Sequence, residues 1–324
     1  MLNSLLDNIA QGLIWAILAL GVYISYRILD FADLTCEGCI TLGASVAATI
    51  IYKTSNPWLA ILLAFAAGCI AGIITGVLHT KLKIPPILAG ILTMISLFSI
   101  NIRIMSTATG TDGTANLSLL KYNDSQIYTQ VKKLFSLVFA DITKTLSSLI
   151  IGIIICVIIM ALLYLFFGTE LGSAIRATGT NEKMCRAQGI DTDVTKIIGL
   201  ALSNGLIAIC GAFLCQYQGA SDVNMGVGAI VIGLASIIIG EAIFVKSRNF
   251  FITLTGIAVG SVIYRIVVGL IIYFGSDIGI KSSDLKLMTA IVVIIALEAT
   301  NIMNHHKKKK NKHAYERGKA HGRS

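Results

Sequence analysis

F-A-D-L-T-C-E-G-C-I-T-L-G-A, from Phe31 to Ala44, and A-S-D-V-N-M-G-V-G-A-I-V-I-G-L-A, from Ala220 to Ala235, spell nearly the same pattern about 190 residues apart. Each opens near an Asp and runs through Gly and small polar residues. Each then becomes continuous apolar sequence at a Gly-Ala or Gly-Leu-Ala step. Polar, glycine-broken segments at matching places in two halves are a sign of internal duplication in transport proteins, where discontinuous helices line the solute path. Irregular backbone is tolerated at membrane depth only where protein or a water-filled cavity covers it.

The surrounding composition agrees. The chain has 324 residues, of which 55% are hydrophobic and 13% charged, with a mean hydropathy of +0.81. Soluble domains carry about a quarter charged residues. The expected class is therefore an all-α, polytopic membrane helical bundle. Seven Cys are scattered through apolar runs. Cys36 and Cys39 form a lone C-x-x-C without a second pair or a nearby His, so packing explains them better than metal or redox chemistry. The N-terminus lacks the basic region and small-residue cleavage site of a signal peptide. The sequence contains no G-x-x-x-x-G-K-[ST], H-E-x-x-H or G-x-S-x-G. It offers no phosphate-cradling loop, zinc-protease helix or nucleophile elbow.

Windows of about twenty apolar residues predict nine spans, near 9–25, 34–52, 57–78, 85–105, 148–168, 194–216, 226–245, 249–274 and 285–302. The tail 305–324 carries eight Lys or Arg. The preference of basic residues for the inner face makes it cytoplasmic. Walking back span by span puts 169–193 inside and 106–147 outside. The segment near 31–44 then runs outward and that near 220–235 runs inward. Residues 1–304 thus read as one transmembrane domain of two inverted halves. Spans one to four (9–105) match spans six to nine (194–302), and 148–168 is a connector. Gly68, Gly72 and Gly76, and Gly256 and Gly260, have the G-x-x-x-G spacing that lets helices approach closely in lipid.

The 168–191 loop is long for a helix connection. Asn181 can cap a short helix, with Met184 and Ala187 on one face and Gly189 ending it. Such a helix either lies on headgroups or docks a soluble partner.

At this loop, L-G-x-A-I-R-A-x-G-x-N and then, after seven intervening residues, G-I, the chain resembles the permeases of bacterial binding-protein-dependent ABC importers, in the branched-chain amino acid, ribose and nucleoside branch. The likeness extends to Phe31–Ala44, to H-T-K-L-K-I-P-P-I-L-A-G-I-L-T-M at 79–94 and to L-A-S-I-I-I-G-E-A-I-F at 234–244. The I-P-P-I-L-A-G-I-L-T-M and Q-Y-Q-G stretches are most similar to a subgroup linked to uptake of tryptophan or related aromatic amino acids. The resemblance implies that Asn181–Gly189 is the coupling helix, with Leu171, Gly172, Ile175, Arg176, Asn181, Met184, Ala187 and Gly189 forming the ATPase-docking loop. It implies a separate ABC ATPase holding ATP and Mg, an extracytoplasmic solute-binding lipoprotein received by the 106–147 loop, and a second permease copy. The place is the bacterial cytoplasmic membrane. The chain itself is then no enzyme and binds no cofactor or metal.

Candidates for the substrate path are the polar residues of the broken segments: Asp33, Thr35, Glu37 and Thr41 in the first, Asp222 and Asn224 in the second. Asn204 in span six and Asn101 in span four join them. Arg265 lies within span eight, where an ionisable group is costly and a site candidate. It meets a substrate carboxylate, bonds backbone carbonyls of a broken helix, or snorkels outward. Glu241 and Glu298 are expected to pair with Arg27, Lys81 or Lys83 near the inner boundary. The basic tail suits anionic lipid headgroups. With one aromatic, Tyr315, it is a poor nucleic-acid platform. The rival reading is an ion-gradient transporter using Glu37 or Asp222. Within the family, a sugar or nucleoside remains an alternative solute.

Overall fold

The computed structural model describes residues 2–130, 144–243 and 249–275, with single positions at 287, 290, 291, 294 and 298. Among the described residues, seven helices are long and apolar enough to cross a membrane. Helix α1 (Leu2–Val22) continues as a wider π-helical stretch, Tyr23–Ile28. Then come α2 (Thr35–Thr54), α3 (Pro57–Thr80) and α4 (Pro86–Thr109). Strand β1 (Asn116–Ser118) and a 3-10 turn, Leu120–Ser125, follow. The second part holds α5 (Lys144–Phe167), the short α6 (Glu170–Thr180) and α7 (Glu182–Ala187), and α8 (Thr192–Gln218). Strand β2 (Ala220–Asp222), α9 (Ala229–Ile243) and α10 (Phe250–Gly275) complete it.

These elements fall on the first eight predicted spans. Helix α9 has only 15 residues, about 22 Å, which is short of a hydrocarbon core of about 30 Å. The expected ninth span, 285–302, lies almost wholly outside the described residues, and the basic tail lies outside them entirely.

Local chemistry sets the helix ends. Asn56 accepts hydrogen bonds from the amides of Trp58 and Leu59 ahead of Pro57, a side-chain cap joined to a proline at the first helical position. Asp191 caps α8 in the same way, and Gly219 ends it at φ +71°.

The core is built on close approach. Helix α3 lies against α8 along Gly68, Gly72 and Gly76. A Cβ at Gly72 would stand 2.3 Å from the Leu200 carbonyl oxygen. The Gly256 and Gly260 pair serves α10 against α9: a Cβ at Gly260 would come 2.2 Å from the Ser236 carbonyl oxygen. Both expected stripes are packing surfaces, turned to different kinds of neighbour.

One departure from an all-helical reading lies at the end of the bundle where α4 finishes. There β1 pairs antiparallel with β2, with Leu117 opposite Ser221. Three-residue strands carry too little periodicity to be read from sequence. The stretch after β1 is also docked: Leu117, Leu119, Ile127 and Tyr128 are buried. Ile127 donates its N–H to Gln216 Oε1 at 3.1 Å. The first part of the expected 106–147 loop is thus packed across the C-terminus of α8. Residues 131–143 lie outside the described residues.

Candidate functional site: a cavity where the broken segments meet

The chain leaves α1, passes residues 29–34 without helix and starts α2 at Thr35. It leaves α8, forms β2 and passes 223–228 before α9. These two irregular segments touch. Gly228 N–H donates to Glu37 Oε1 at 3.0 Å. Gly226 lies on the Glu37 carbonyl, where a Cβ would come 1.9 Å from the oxygen. Thr41 Oγ1 lies 3.3 Å from the Glu37 carbonyl oxygen and 3.5 Å from that of Val223.

Beside this junction is a cavity of about 450 Å³. Glu37, Thr41, Asn101 and Asn224 are four of its polar walls, all singled out from sequence. The apolar walls were not: Met94, Ile95 and Phe98 come from α4, Val223 and Val227 from the second broken segment. Asn101 is 1% exposed. Its Nδ2 donates to the Gly38 carbonyl at 3.3 Å, so it also ties α4 to α2.

Asp33, Thr35 and Asn204 form a second cluster, buried beneath the first turn of α2. Asp33 Oδ1 accepts the Thr35 N–H at 2.8 Å, and Oδ2 accepts from Asn204 Nδ2 at 2.7 Å. Thr35 Oγ1 is 2.9 Å from Thr75 Oγ1, which donates onward to Thr93 Oγ1 at 3.0 Å. This threonine chain links α2, α3 and α4. Thr75 and Thr93 were missed because an isolated Thr in an apolar window gives no directional signal.

The remaining path candidates lie elsewhere. Asp222 sits at the end of β2, accepting from Asn116 Nδ2 at 3.2 Å and from Asn224 N–H at 2.8 Å. Arg265 is not among the cavity walls. It turns to α1, donating to Gln11 Oε1 from Nε at 3.0 Å, with its guanidinium 5.9 Å from the Trp15 ring centre. It thus has a side-chain acceptor rather than backbone carbonyls.

The 168–191 segment folds as two short helices. Asn181 Oδ1 accepts the Met184 N–H at 3.0 Å and caps α7. Gly189, at φ +81°, follows its end. Met184 and Ala187 face outward while Cys185 is buried. Leu171 is exposed, but Gly172 and Ile175 point into the bundle. Arg176 lies over the Phe250 ring at 5.2 Å. A charged clamp fixes α7. Glu182 binds Lys196 and Arg186, each at 2.8 Å. Arg186 also reaches Asp193 at 3.2 Å, and Lys81 reaches Asp193 at 3.5 Å. The hydrogen bond from Lys196 holds the Glu182 carboxyl below the ordinary glutamate range. Arg27 pairs with Glu241 at 2.9 Å, as expected from sequence. The other expected carboxylate, Glu298, is exposed.

Apolar helices of membrane-crossing length, arranged around broken polar segments that border a cavity, define a multi-pass membrane permease. Residues 4–297 match the family described as the permease component of the branched-chain amino acid transport system, and the chain belongs to that family. It is 42% identical over 310 residues to a tyrosine transport system permease protein of Clostridioides difficile, covering 96% of this chain and 95% of that one. It is 34% identical to an uncharacterized protein of Rickettsia prowazekii, covering 92% and 98%. The ribose import permease of Escherichia coli is 23% identical, covering 93% and 86%. The resemblance read from the 168–191 loop and from 79–94 is therefore sound: the chain is an ABC-type permease.

Proposed function

We propose that this chain is the membrane-spanning subunit of an importer that carries an aromatic amino acid inward by alternating access, driven by a separate ABC ATPase. The observation that carries the reading is the cavity at the junction of the two broken segments. At about 450 Å³ it falls within the range of about 300–1,000 Å³ typical of small-molecule sites. Phe98, Met94 and Val227 offer a ring an apolar wall, while Asn224, Thr41 and Glu37 offer polar partners to an amino acid backbone. The tyrosine transport permease relative favours the same solute class. Sugars and nucleosides, which carry several hydroxyls, suit this largely apolar wall less well.

Pseudo-symmetric packing supports the inverted-repeat part of the reading. Helix α3 packs on α8 and α10 on α1; α2 packs on α3 and α9 on α10. Asp33 and Asp222 each accept the N–H two residues on, both at 2.8 Å. In this reading α7 presents Met184 and Ala187 to the ATPase, which supplies ATP and Mg. The β1–β2 end receives a solute-binding lipoprotein. A second permease copy completes the path, and the C-terminus is cytoplasmic.

The test is uptake by proteoliposomes holding this chain, the ATPase and the lipoprotein of the same operon. Labelled tyrosine or tryptophan should accumulate with ATP, while leucine and ribose should not. Phe98→Ala and Asn224→Ala should slow uptake without loss of ATPase association. Met184→Glu should release the ATPase. Uptake that proceeds without the ATPase and follows an ion gradient would sink the proposal.

A further inference from the structure

A second cavity, of about 700 Å³, lies at the end of the bundle that carries α6 and α7. Its walls come from the end of α5 (Tyr164, Leu165), from α6 (Arg176) and from the start of α10 (Phe250, Phe251, Ile252). None of the path candidates lines it. We propose that this cavity binds one anionic phospholipid of the surrounding bilayer, its phosphate on Arg176 and its acyl chains along α5 and α10.

Three independent features point there. The first is charge. Among the described residues no carboxylate lines the cavity, and none forms an ion pair with Arg176. Its guanidinium carbon lies over the Phe250 ring, 5.2 Å from the centre, and the planar fork of N–H donors it carries suits a phosphate. The second is backbone polarity. Ile252 and Thr253 already donate to the Asn249 carbonyl. The N–H groups of Phe250 and Phe251 precede the first possible intrahelical bond, at the positive end of a 26-residue helix. The third is the wall that continues from this polar corner. Leu165 is 67% exposed and Tyr164 50% exposed, with Phe251 beside them at 43%. They stand on helices of membrane-crossing length, so these faces look at acyl chains. Tyr164 and Phe251 meet edge-on at 5.9 Å, an aromatic pair of the kind that collects at the headgroup level.

A ligand for this site is anionic at one end and apolar at the other. A free phosphate would use the first end and leave the apolar wall bare. A phosphatidylcholine carries its own cation beside the phosphate, which Arg176 would oppose. The lipid would hold α6 against α5 and α10, and through α6 the orientation of α7.

The test uses the purified full chain in mild detergent. Native mass spectrometry and thermal melts would be run with phosphatidylglycerol, with phosphatidylcholine of the same chains, and with glycerol 3-phosphate. Phosphatidylglycerol should stay bound and raise the melting midpoint, and the other two should do neither. Arg176→Gln should weaken phosphatidylglycerol roughly tenfold, the loss expected for one charge-assisted hydrogen bond, and Arg176→Lys, which keeps the charge but not the planar fork, should restore only part of it. Phe251→Ala keeps the cation and should weaken binding severalfold, which serves if the Gln variant does not fold. Equal retention of phosphatidylcholine, or unchanged phosphatidylglycerol binding in both Arg176→Gln and Phe251→Ala, overturns the assignment. Protection by glycerol 3-phosphate equal to that of phosphatidylglycerol also overturns it, because the site would then be one for a soluble anion.

Discussion

Replacing Asp33 separates what its hydrogen bonds contribute from what its charge contributes. The side chain is 4% exposed. One oxygen accepts the Thr35 amide and the other an Asn204 amide hydrogen, at 2.8 and 2.7 Å. Asp33→Ala would strand both donors in a buried site, although Asn204 keeps its other bond to the Leu200 carbonyl at 3.1 Å. Each stranded donor costs about 1–3 kcal/mol, so the loss should be about 2–6 kcal/mol. Asp33→Asn keeps the shape and an acceptor for Thr35. Asn204 Oδ1 has no hydrogen-bond partner. A flip of that amide would turn this oxygen to the new donor and give up the Leu200 bond, at a cost of about 1 kcal/mol. Removal of a buried carboxylate that no cation pairs among the described residues acts in the opposite direction. Unfolding of the purified protein in mild detergent should therefore place Asp33→Asn close to wild type and Asp33→Ala well below both. A cycle with Asn204→Ala should return a coupling of roughly 1–3 kcal/mol. If Asp33→Asn is as damaging as Asp33→Ala, the fold requires the negative charge, and the hydrogen-bond account fails.

Further outcomes follow from the packing and the charged clamp. Gly72→Ala would drive a Cβ toward the Leu200 carbonyl. Because backbone cannot step aside cheaply, it should cost about 1–3 kcal/mol. Ile70→Ala, at a position 58% exposed on the same helix, should change the melting midpoint far less. Glu182 titrates below the ordinary range because Lys196 hydrogen-bonds its charged form. Its stabilising contribution is complete above the unfolded glutamate value of about 4.3 and is lost as pH falls through the lower folded value. Amide exchange in α7, corrected for intrinsic rates, should stay flat from pH 7 to about pH 5 and rise only below about pH 4. Glu182→Gln should raise it at neutral pH, and the difference from wild type should fade as the pH falls below about 4. Tyr128→Phe removes a 3.3 Å bond from the hydroxyl to the Phe213 carbonyl. It should cost about 1 kcal/mol and should speed proteolysis in the 110–130 segment before the helices open.

What could be read in the sequence depended on how strongly one residue constrains its surroundings. Charge deserts of twenty residues have one solution in a bilayer, so the helices appear at their expected places. A G-x-x-x-G stripe announces close approach, but the glycine does not name the helix that approaches. Gly72 meets α8 and Gly260 meets α9, a choice made by the whole bundle. The short α7 was legible because its cap and its stop are single residues, Asn181 and Gly189. Arg265 was misleading for the opposite reason. Its expense in lipid is real, but its acceptor, Gln11 on α1, lies 254 positions away.

The cavity shows the same division more sharply. Glu37, Thr41, Asn101 and Asn224 stood out because polar residues in apolar surroundings are few. Met94, Ile95 and Phe98 lie in a helix apolar on nearly every face, and only packing decides which face borders empty space. Gly38 brings α2 within contact distance of Met94 and Leu97, and Phe98 borders the cavity beside them. The two similar motifs share a local geometry, because Asp33 and Asp222 close the same two-residue turn. It does not fix their surroundings. Asp33 finds Asn204 and is sealed by α3, α4 and α8. Asp222 is held instead by Asn116, in the segment that follows α4. Two equivalent turns thus became a buried structural anchor and a half-buried one at the end of the bundle. The asymmetry arises from what the rest of the chain laid over each turn, and comparison of the two similar stretches alone cannot reveal it.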